Sequence, residues 1–198
     1  MQRIRISSAK FYIGVSIGII AIVIGATFFI HSRQNLDQIP EPSSELNYRY
    51  APNFELTDWR GKKQRLGDQR GSVVLIHFWA SWCPPCLDEI PKWIEFANRF
   101  KGKRFKFIAI SLDQNWRDAL KIVPGASLPS NVLSLLDDSG KVAEDFGSYQ
   151  FPETYLLSPD LKIITKWVGP QEWNNPKLIE LLDRMERIAS SSAQGSHP

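Results

Sequence analysis

Apolar residues follow three different rhythms along this chain, and each predicts a different kind of element. The first is an uninterrupted run, Phe11 to Ile30 (FYIGVSIGIIAIVIGATFFI), about twenty residues without a charge, enough to cross a hydrocarbon layer of roughly 30 Å as a helix. The second is the short, near-continuous run. Ser72 to Trp79 (SVVLIHFW) and Phe105 to Leu112 (FKFIAISL) predict strands covered on both faces in a parallel or mixed sheet. The third is helical spacing. Leu87, Ile90, Ile94 and Ala97 predict a helix opening around Pro84 and reaching about Phe100, with Asp88 and Glu89 in its electropositive first turn and a kink at Pro91. Leu178, Leu181, Leu182 and Met185 predict an amphipathic closing helix over Pro176 to Ile188.

Shorter signals fill the gaps. Phe54 to Leu56 and Gln64 to Leu66 flank a turn at Trp59-Arg60-Gly61-Lys62, a hairpin-like pattern. Trp116 to Val123 and Lys141 to Phe146 predict short helices, with a strand at Val132 to Leu136 between them. Thr154 to Leu157 and Lys162 to Val168 predict two strands joined by the turn residues Ser158-Pro159-Asp160. Strands alternating with helices, then a terminal hairpin and helix, describe an α/β sandwich around a mixed sheet. The domain plan is a cytoplasmic amino end at residues 1–10, a transmembrane anchor at 11–30, a flexible linker at 31–49, a globular domain at 50–189 and a disordered tail at 190–198. Pro40, Pro42, Ser43 and Ser44 mark the linker and SSSAQGSHP the tail; neither has enough apolar surface to order itself.

Charge and cysteine content narrow the function. The net charge is only +3, and part of it is Arg3, Arg5 and Lys10 ahead of the apolar run, so no basic patch points to nucleic acid. Those same cations set the orientation, leaving the amino end in the cytoplasm and everything after Ile30 outside. A cleaved leader has a shorter apolar stretch and a small-x-small site; neither condition is clearly met around Gly25-Ala26-Thr27, so a retained anchor is expected, with a cleaved leader as the alternative. The 2 cysteines form a single C-x-x-C on the exported side, where disulfides persist. Two cysteines cannot close a four-ligand zinc site, and His31, His77 and His197 share no ligand spacing. No bound metal is expected.

The segment Trp82-Cys83-Pro84-Pro85-Cys86 falls just past a buried strand and at the start of a helix. Unpaired N–H groups and the helix dipole there stabilise a thiolate, making Cys83 the expected nucleophile. Cys86, one turn in, is the expected resolving thiol, shielded until it attacks a mixed disulfide on Cys83. The plainer alternative is a structural disulfide, which the strand-to-helix setting disfavours.

FWASWCPPCLDEIP resembles the active-site segment of the thioredoxin superfamily, in particular its membrane-anchored extracytoplasmic TlpA/ResA-like branch, which includes the cytochrome c maturation thioredoxins. Ala51-Pro52-Asn53-Phe54-Glu55-Leu56 with Gly61-Lys62 resembles that branch's opening hairpin. Phe151-Pro152-Glu153-Thr154-Tyr155-Leu156 resembles its cis-proline segment, with Gly169 at a usual late glycine, and the match runs from Tyr50 to Ile188. The resemblance implies a thioredoxin-like three-layer sandwich with a central mixed sheet and an amino-terminal hairpin extension. It also implies that Pro152 is cis and faces the disulfide, and that Trp82, Pro84 and Pro152 line the partner-binding surface. Glu153-Thr154 is similar to the cytochrome c maturation members. Glu89, in a Cys-x-x-Glu-x-Pro pattern, would tune the thiols or pass a proton, and the bland reading makes it a first-turn acid facing Lys92. His77 departs from the pattern. Its position carries a buried acid in ordinary thioredoxins and often a neutral amide in this branch, and a hydrogen-bonded core histidine is the expected role.

By this resemblance the chain is a thiol-disulfide oxidoreductase that reduces disulfides in extracytoplasmic proteins, such as apocytochrome c, using Cys83 and Cys86. It would need no cofactor beyond that disulfide and be recharged by a membrane electron donor. Two alternatives share the fold. Copper-handling proteins pair a thiol couple with a distal histidine, usually with three residues between the cysteines, and here only His197 follows Cys86. Thiol peroxidases carry Pro-x-x-x-Thr-x-x-Cys, whereas Ala80-Ser81-Trp82 precedes Cys83.

Overall fold

The computed structural model describes residues 49–194. The predicted anchor at 11–30, the cytoplasmic end, the linker up to residue 48 and residues 195–198 lie outside the described residues. No helix among the described residues is long and apolar enough to cross a membrane.

The chain order is β1 (Glu55–Asp58), β2 (Lys63–Arg65), β3 (Val73–Trp79), α1 (Pro84–Arg99), β4 (Phe105–Ser111), α2 (Trp116–Ile122), β5 (Val132–Leu136), α3 (Lys141–Phe146), β6 (Glu153–Leu157), β7 (Ile163–Val168) and α4 (Pro176–Gln194). Short 3₁₀ turns occupy Leu66–Gln69 and Gly125–Ser127. The strands form one sheet in the order β2-β1-β5-β4-β3-β6-β7. β3 pairs parallel with β4, and β4 with β5, while β6, β7, β1 and β2 join antiparallel. The sheet is therefore mixed, and the fold is thioredoxin-like.

β3 occupies the protected middle of the sheet, and all seven of its residues are buried. Its side chains alternate between faces, as strand geometry requires. Val74, Ile76 and Phe78 join Ile108, Ile110, Tyr155 and the α3 residues Val142, Ala143 and Phe146 in one core. On the opposite face, His77 stacks on Trp93 of α1 at 5.1 Å between ring centroids, and Trp93 meets Phe107 of β4 edge-on at 5.5 Å. Burial on both faces is why β3 and β4 read as continuous apolar runs.

Two expectations need correction. The first turn of α1 contains no acid. Cys83 is the extended residue at the amino boundary and Pro84 and Pro85 are the first helical positions, where a fixed φ and a missing N–H are no handicap, so Asp88 and Glu89 fall in the second turn. The chain stays helical through Pro91 to Arg99 as one element. At the carboxyl end, α4 continues six residues past Ile188 to Gln194, so residues 190–194, expected to belong to the tail, are helical.

Candidate active site

Cys83 and Cys86 form a disulfide at the amino end of α1, with Cα atoms 5.3 Å apart. The Cys86 and Leu87 amides donate to the Cys83 carbonyl at 3.0 and 3.2 Å, which winds the first turn around that residue. Cys86 is fully buried and Cys83 is 5% exposed, so of the pair only Cys83 reaches solvent. The preceding loop is clamped from β4's end. Buried Asp113 accepts from the Ser81 amide at 3.2 Å, from Ser81 Oγ at 2.6 Å and from Ser111 Oγ at 2.7 Å. With Ser81 fixed, Trp82 is turned outward, 62% exposed.

Opposite the disulfide, the Phe151–Pro152 peptide bond is cis, and the Phe151 carbonyl oxygen lies 3.5 Å from Cys83 Sγ. That oxygen cannot receive a proton from an oxidised sulfur; its approach marks where a thiol or a partner's amide would sit. The loop is held from behind. Glu153 is buried, accepts from Ser148 Oγ and pairs with Lys166 Nζ at 3.0 Å, and the same ammonium donates to the Gly147 carbonyl at 2.9 Å. Gly169 donates to the Pro152 carbonyl at 2.9 Å. A groove of about 600 Å³ is lined by Trp82, the neighbour of Cys83, together with Phe151, Asp138, Glu144 and Tyr149.

Beneath the disulfide, Glu89 lies one turn beyond Cys86, and residues three apart share a helix face. It is 3% exposed. One carboxyl oxygen, Oε1, accepts from Trp173 Nε1 at 2.7 Å and from the Gln171 amide at 2.9 Å, while Oε2 is buried with no partner. Burial raises its pKa from 4.5 to about 7 against the pull of those two donors and of Lys92, because desolvation penalises the carboxylate. A pKa near neutrality suits a group that both takes and returns a proton. His77 is fully buried, its Nδ1 2.9 Å from Thr154 Oγ1 and its Nε2 unpartnered. Burial lowers its pKa from 6.5 to about 3, so the ring is neutral in the folded chain.

A redox-active geometry of this kind agrees with what the chain resembles. The AhpC/TSA family model matches residues 49–166, more than half of the sequence. The chain belongs to the AhpC/TSA family. Within it, the chain is 37% identical over 139 residues to the thiol:disulfide interchange protein CycY of Rhizobium leguminosarum bv. viciae, covering 69% of this chain and 71% of that one. It is 33% identical over 121 residues to the thiol-disulfide oxidoreductase ResA of Bacillus thuringiensis subsp. konkukian, covering 61% and 69%. Among solved structures, a candidate thiol:disulfide interchange protein DsbE from Chlorobium tepidum aligns with a TM-score of 0.57 at 31% identity, covering 71% of this chain and 94% of that one. This AhpC/TSA member is a thiol-disulfide oxidoreductase, and its substrates are disulfide-containing proteins.

Cys83 and Trp82, singled out from the sequence, meet the Phe151-Pro152 segment at one patch, with Cys86 and Pro152 buried just behind its surface. Pro84 is exposed at the helix start, next to the disulfide. Trp82 lines the groove; Pro84 and Pro152 stand outside its lining. Glu89 sits under the patch rather than on it, and its neighbour is the loop after β7, not Lys92 alone. Sequence reasoning passed over Gln171 and Trp173, which lie 82 and 84 residues from Glu89, Asp113, which lies 32 residues from Ser81, and Lys166, which lies 19 residues from Gly147. No local pattern links such residues. The acid of the Cys-x-x-Glu-x-Pro pattern, Glu89, was the one sequence signal that could have raised the question of donors. His197, the distal ligand that a metal-handling reading requires, lies outside the described residues.

Proposed function

We propose that this chain is a membrane-tethered reductant of disulfides in proteins outside the cytoplasm, apocytochrome c among them. The observation that carries the reading is a C-x-x-C disulfide at a helix amino end, with its outer sulfur against the carbonyl before Pro152. The likeness to ResA and CycY and the apolar run at 11–30 behind three cations support the direction and the tether.

In this reading the reduced chain presents the Cys83 thiolate, stabilised by the helix end. It attacks one sulfur of a partner disulfide, forming a mixed disulfide and releasing the other partner sulfur as a thiolate. Trp82, Pro84 and the Phe151-Pro152 segment hold the partner peptide. Glu89 Oε2 takes the Cys86 proton, and the Cys86 thiolate attacks Cys83 Sγ. The Cys83–Cys86 bond forms, the Cys83–partner bond breaks, and the second partner thiolate leaves and is protonated. The partner has gained two electrons; of the two protons its thiolates take up, one is the Cys86 proton that Glu89 releases and the other comes from solvent, and a membrane electron donor restores the dithiol.

The test is the redox potential of the full-length chain, equilibrated with dithiothreitol buffers and read by thiol trapping. A value near thioredoxin's, about −270 mV, is expected; one near about −120 mV, typical of strong oxidants, would reverse the direction of electron flow.

A further inference from the structure

Glu89 is held by the segment that also ties down Pro152, whose carbonyl accepts from the Gly169 amide. The loop after β7 turns at Gly169 and Pro170 and brings two donors onto a single atom: the Gln171 amide at 2.9 Å and Trp173 Nε1 at 2.7 Å both reach Oε1. The indole is itself immobilised. It is 3% exposed, tilted against Phe96 of α1 at 5.3 Å and edge-on to His77 of β3 at 6.3 Å. The loop's own conformation is fixed by Gln171 Nε2 donating to the Gly169 carbonyl at 2.8 Å. Glu89 therefore cannot rotate its carboxyl without breaking two charge-assisted hydrogen bonds, and its second oxygen has no competing donor.

We propose that Trp173, with the Gln171 amide, is the positioning residue for Glu89, pinning Oε1 so that Oε2 alone carries the exchangeable proton beneath Cys86. This rests on the reading of Glu89 as the proton acceptor for Cys86. The arrangement divides labour between the two oxygens. Donors on Oε1 stabilise the carboxylate that desolvation opposes, and a carboxyl proton, excluded from an oxygen already occupied by two N–H groups, goes to Oε2. A small cleft of about 180 Å³, lined by Pro85, Asp88, Glu89, Lys92, Pro170, Gln171 and Glu172, opens beside the carboxyl and gives that proton a route to water. The titratable and charged groups around Glu89 are Cys86, Asp88 and Lys92 on its own helix, Glu172 on the loop, and His77 on β3, which touches the same indole.

The experiment uses the reduced full-length chain labelled with carboxyl-¹³C glutamate, the Glu89 resonance being assigned by its loss in Glu89→Gln. Trp173→Phe keeps an aromatic ring against Phe96 and His77 while removing the N–H along with part of the indole. It is expected to move the Glu89 titration midpoint upward by about one pH unit, the effect of deleting one hydrogen bond to a carboxylate. The pH midpoint of disulfide exchange should follow it. Gln171→Pro, which removes the other donor at a half-buried loop position, is expected to shift both midpoints the same way, so the test survives misfolding of either variant. In a Glu89→Gln background, Trp173→Phe should leave the exchange profile unchanged. A carboxyl midpoint that stays put in the folded variants, or an exchange profile still shifted by Trp173→Phe when Glu89 is absent, overturns the positioning role. If Glu89→Gln alone leaves exchange unaltered, it is the acceptor role of Glu89 that fails, while the carboxyl titration still reports whether Trp173 positions it.

Discussion

Glu89 and His77 both touch Trp173, and the same dry surroundings push their protons in opposite directions. Glu89 is raised to about 7 and His77 lowered to about 3, because in each case burial disfavours the charged form. The consequences for stability have opposite signs. Glu89 binds its proton more tightly folded than unfolded, so its contribution is complete below about 4.5 and is lost as pH rises to about 7. His77 holds no proton when folded, but the unfolded chain takes one up below about 6.5, so its contribution is complete above that pH and is lost as pH falls toward 3. Between about 4.5 and 6.5 the two slopes oppose each other. Glu89→Gln should therefore unmask the histidine slope: urea midpoints, level across this interval in the parent, should fall with falling pH in the variant. Equal pH profiles for the two proteins would mean that Glu89 titrates normally.

At the scale of elements, the amino-terminal hairpin joins the thioredoxin-like body through the pairing of β1 with β5, and its turn adds a close approach to a neighbouring loop. Trp59, in the turn between β1 and β2, lies against Gly125 of the second 3₁₀ turn, and a Cβ there would fall onto the indole ring. Arg60 covers the same ring at 4.6 Å from its centroid, so the indole has little room to retreat. Gly125→Ala should destabilise the chain by about 1–3 kcal/mol, as overpacking does, measured as a lower urea midpoint with unchanged slope. The elements themselves were largely readable beforehand. β3 and β4 announced themselves as apolar runs because both faces are covered, and α4 by its one-sided spacing. Their ends were less so: α1's boundary is set by Cys83 adopting an extended conformation ahead of two prolines, which moved Asp88 and Glu89 out of the first turn, and α4 runs past the last strongly apolar position because a helix can continue through small polar residues once its inner face is docked.

Across the whole molecule, stability should decline from β3 outward. β3 hydrogen-bonds on both sides, to β4 and β6, whereas β2 is a three-residue edge strand paired only with β1. Native-state hydrogen exchange should find the amides of β3 and β4 protected to near the global unfolding free energy and those of β2 exchanging through local opening; slow exchange in β2 would show that the hairpin is part of the central cooperative unit. The site draws on this gradient. The disulfide projects from the carboxyl end of the most protected strand, and the loops around it supply the contacts a partner meets.

By itself the sequence determined the redox pair and the alternation of strands and helices, since each is written in residues adjacent or regularly spaced along the chain, whereas the place of Pro152 was legible only through the resemblance to the TlpA/ResA-like branch. Only the tertiary structure decided that Glu89 is buried against Trp173 and Gln171, that Asp113 clamps Ser81, and that Lys166 and Ser148 hold Glu153 behind the Phe151-Pro152 loop. Those groups lie on different elements, and their pairing is set by strand order and helix docking. Periodicity records which face of an element is apolar; it does not record which distant donor arrives to satisfy a buried carboxylate.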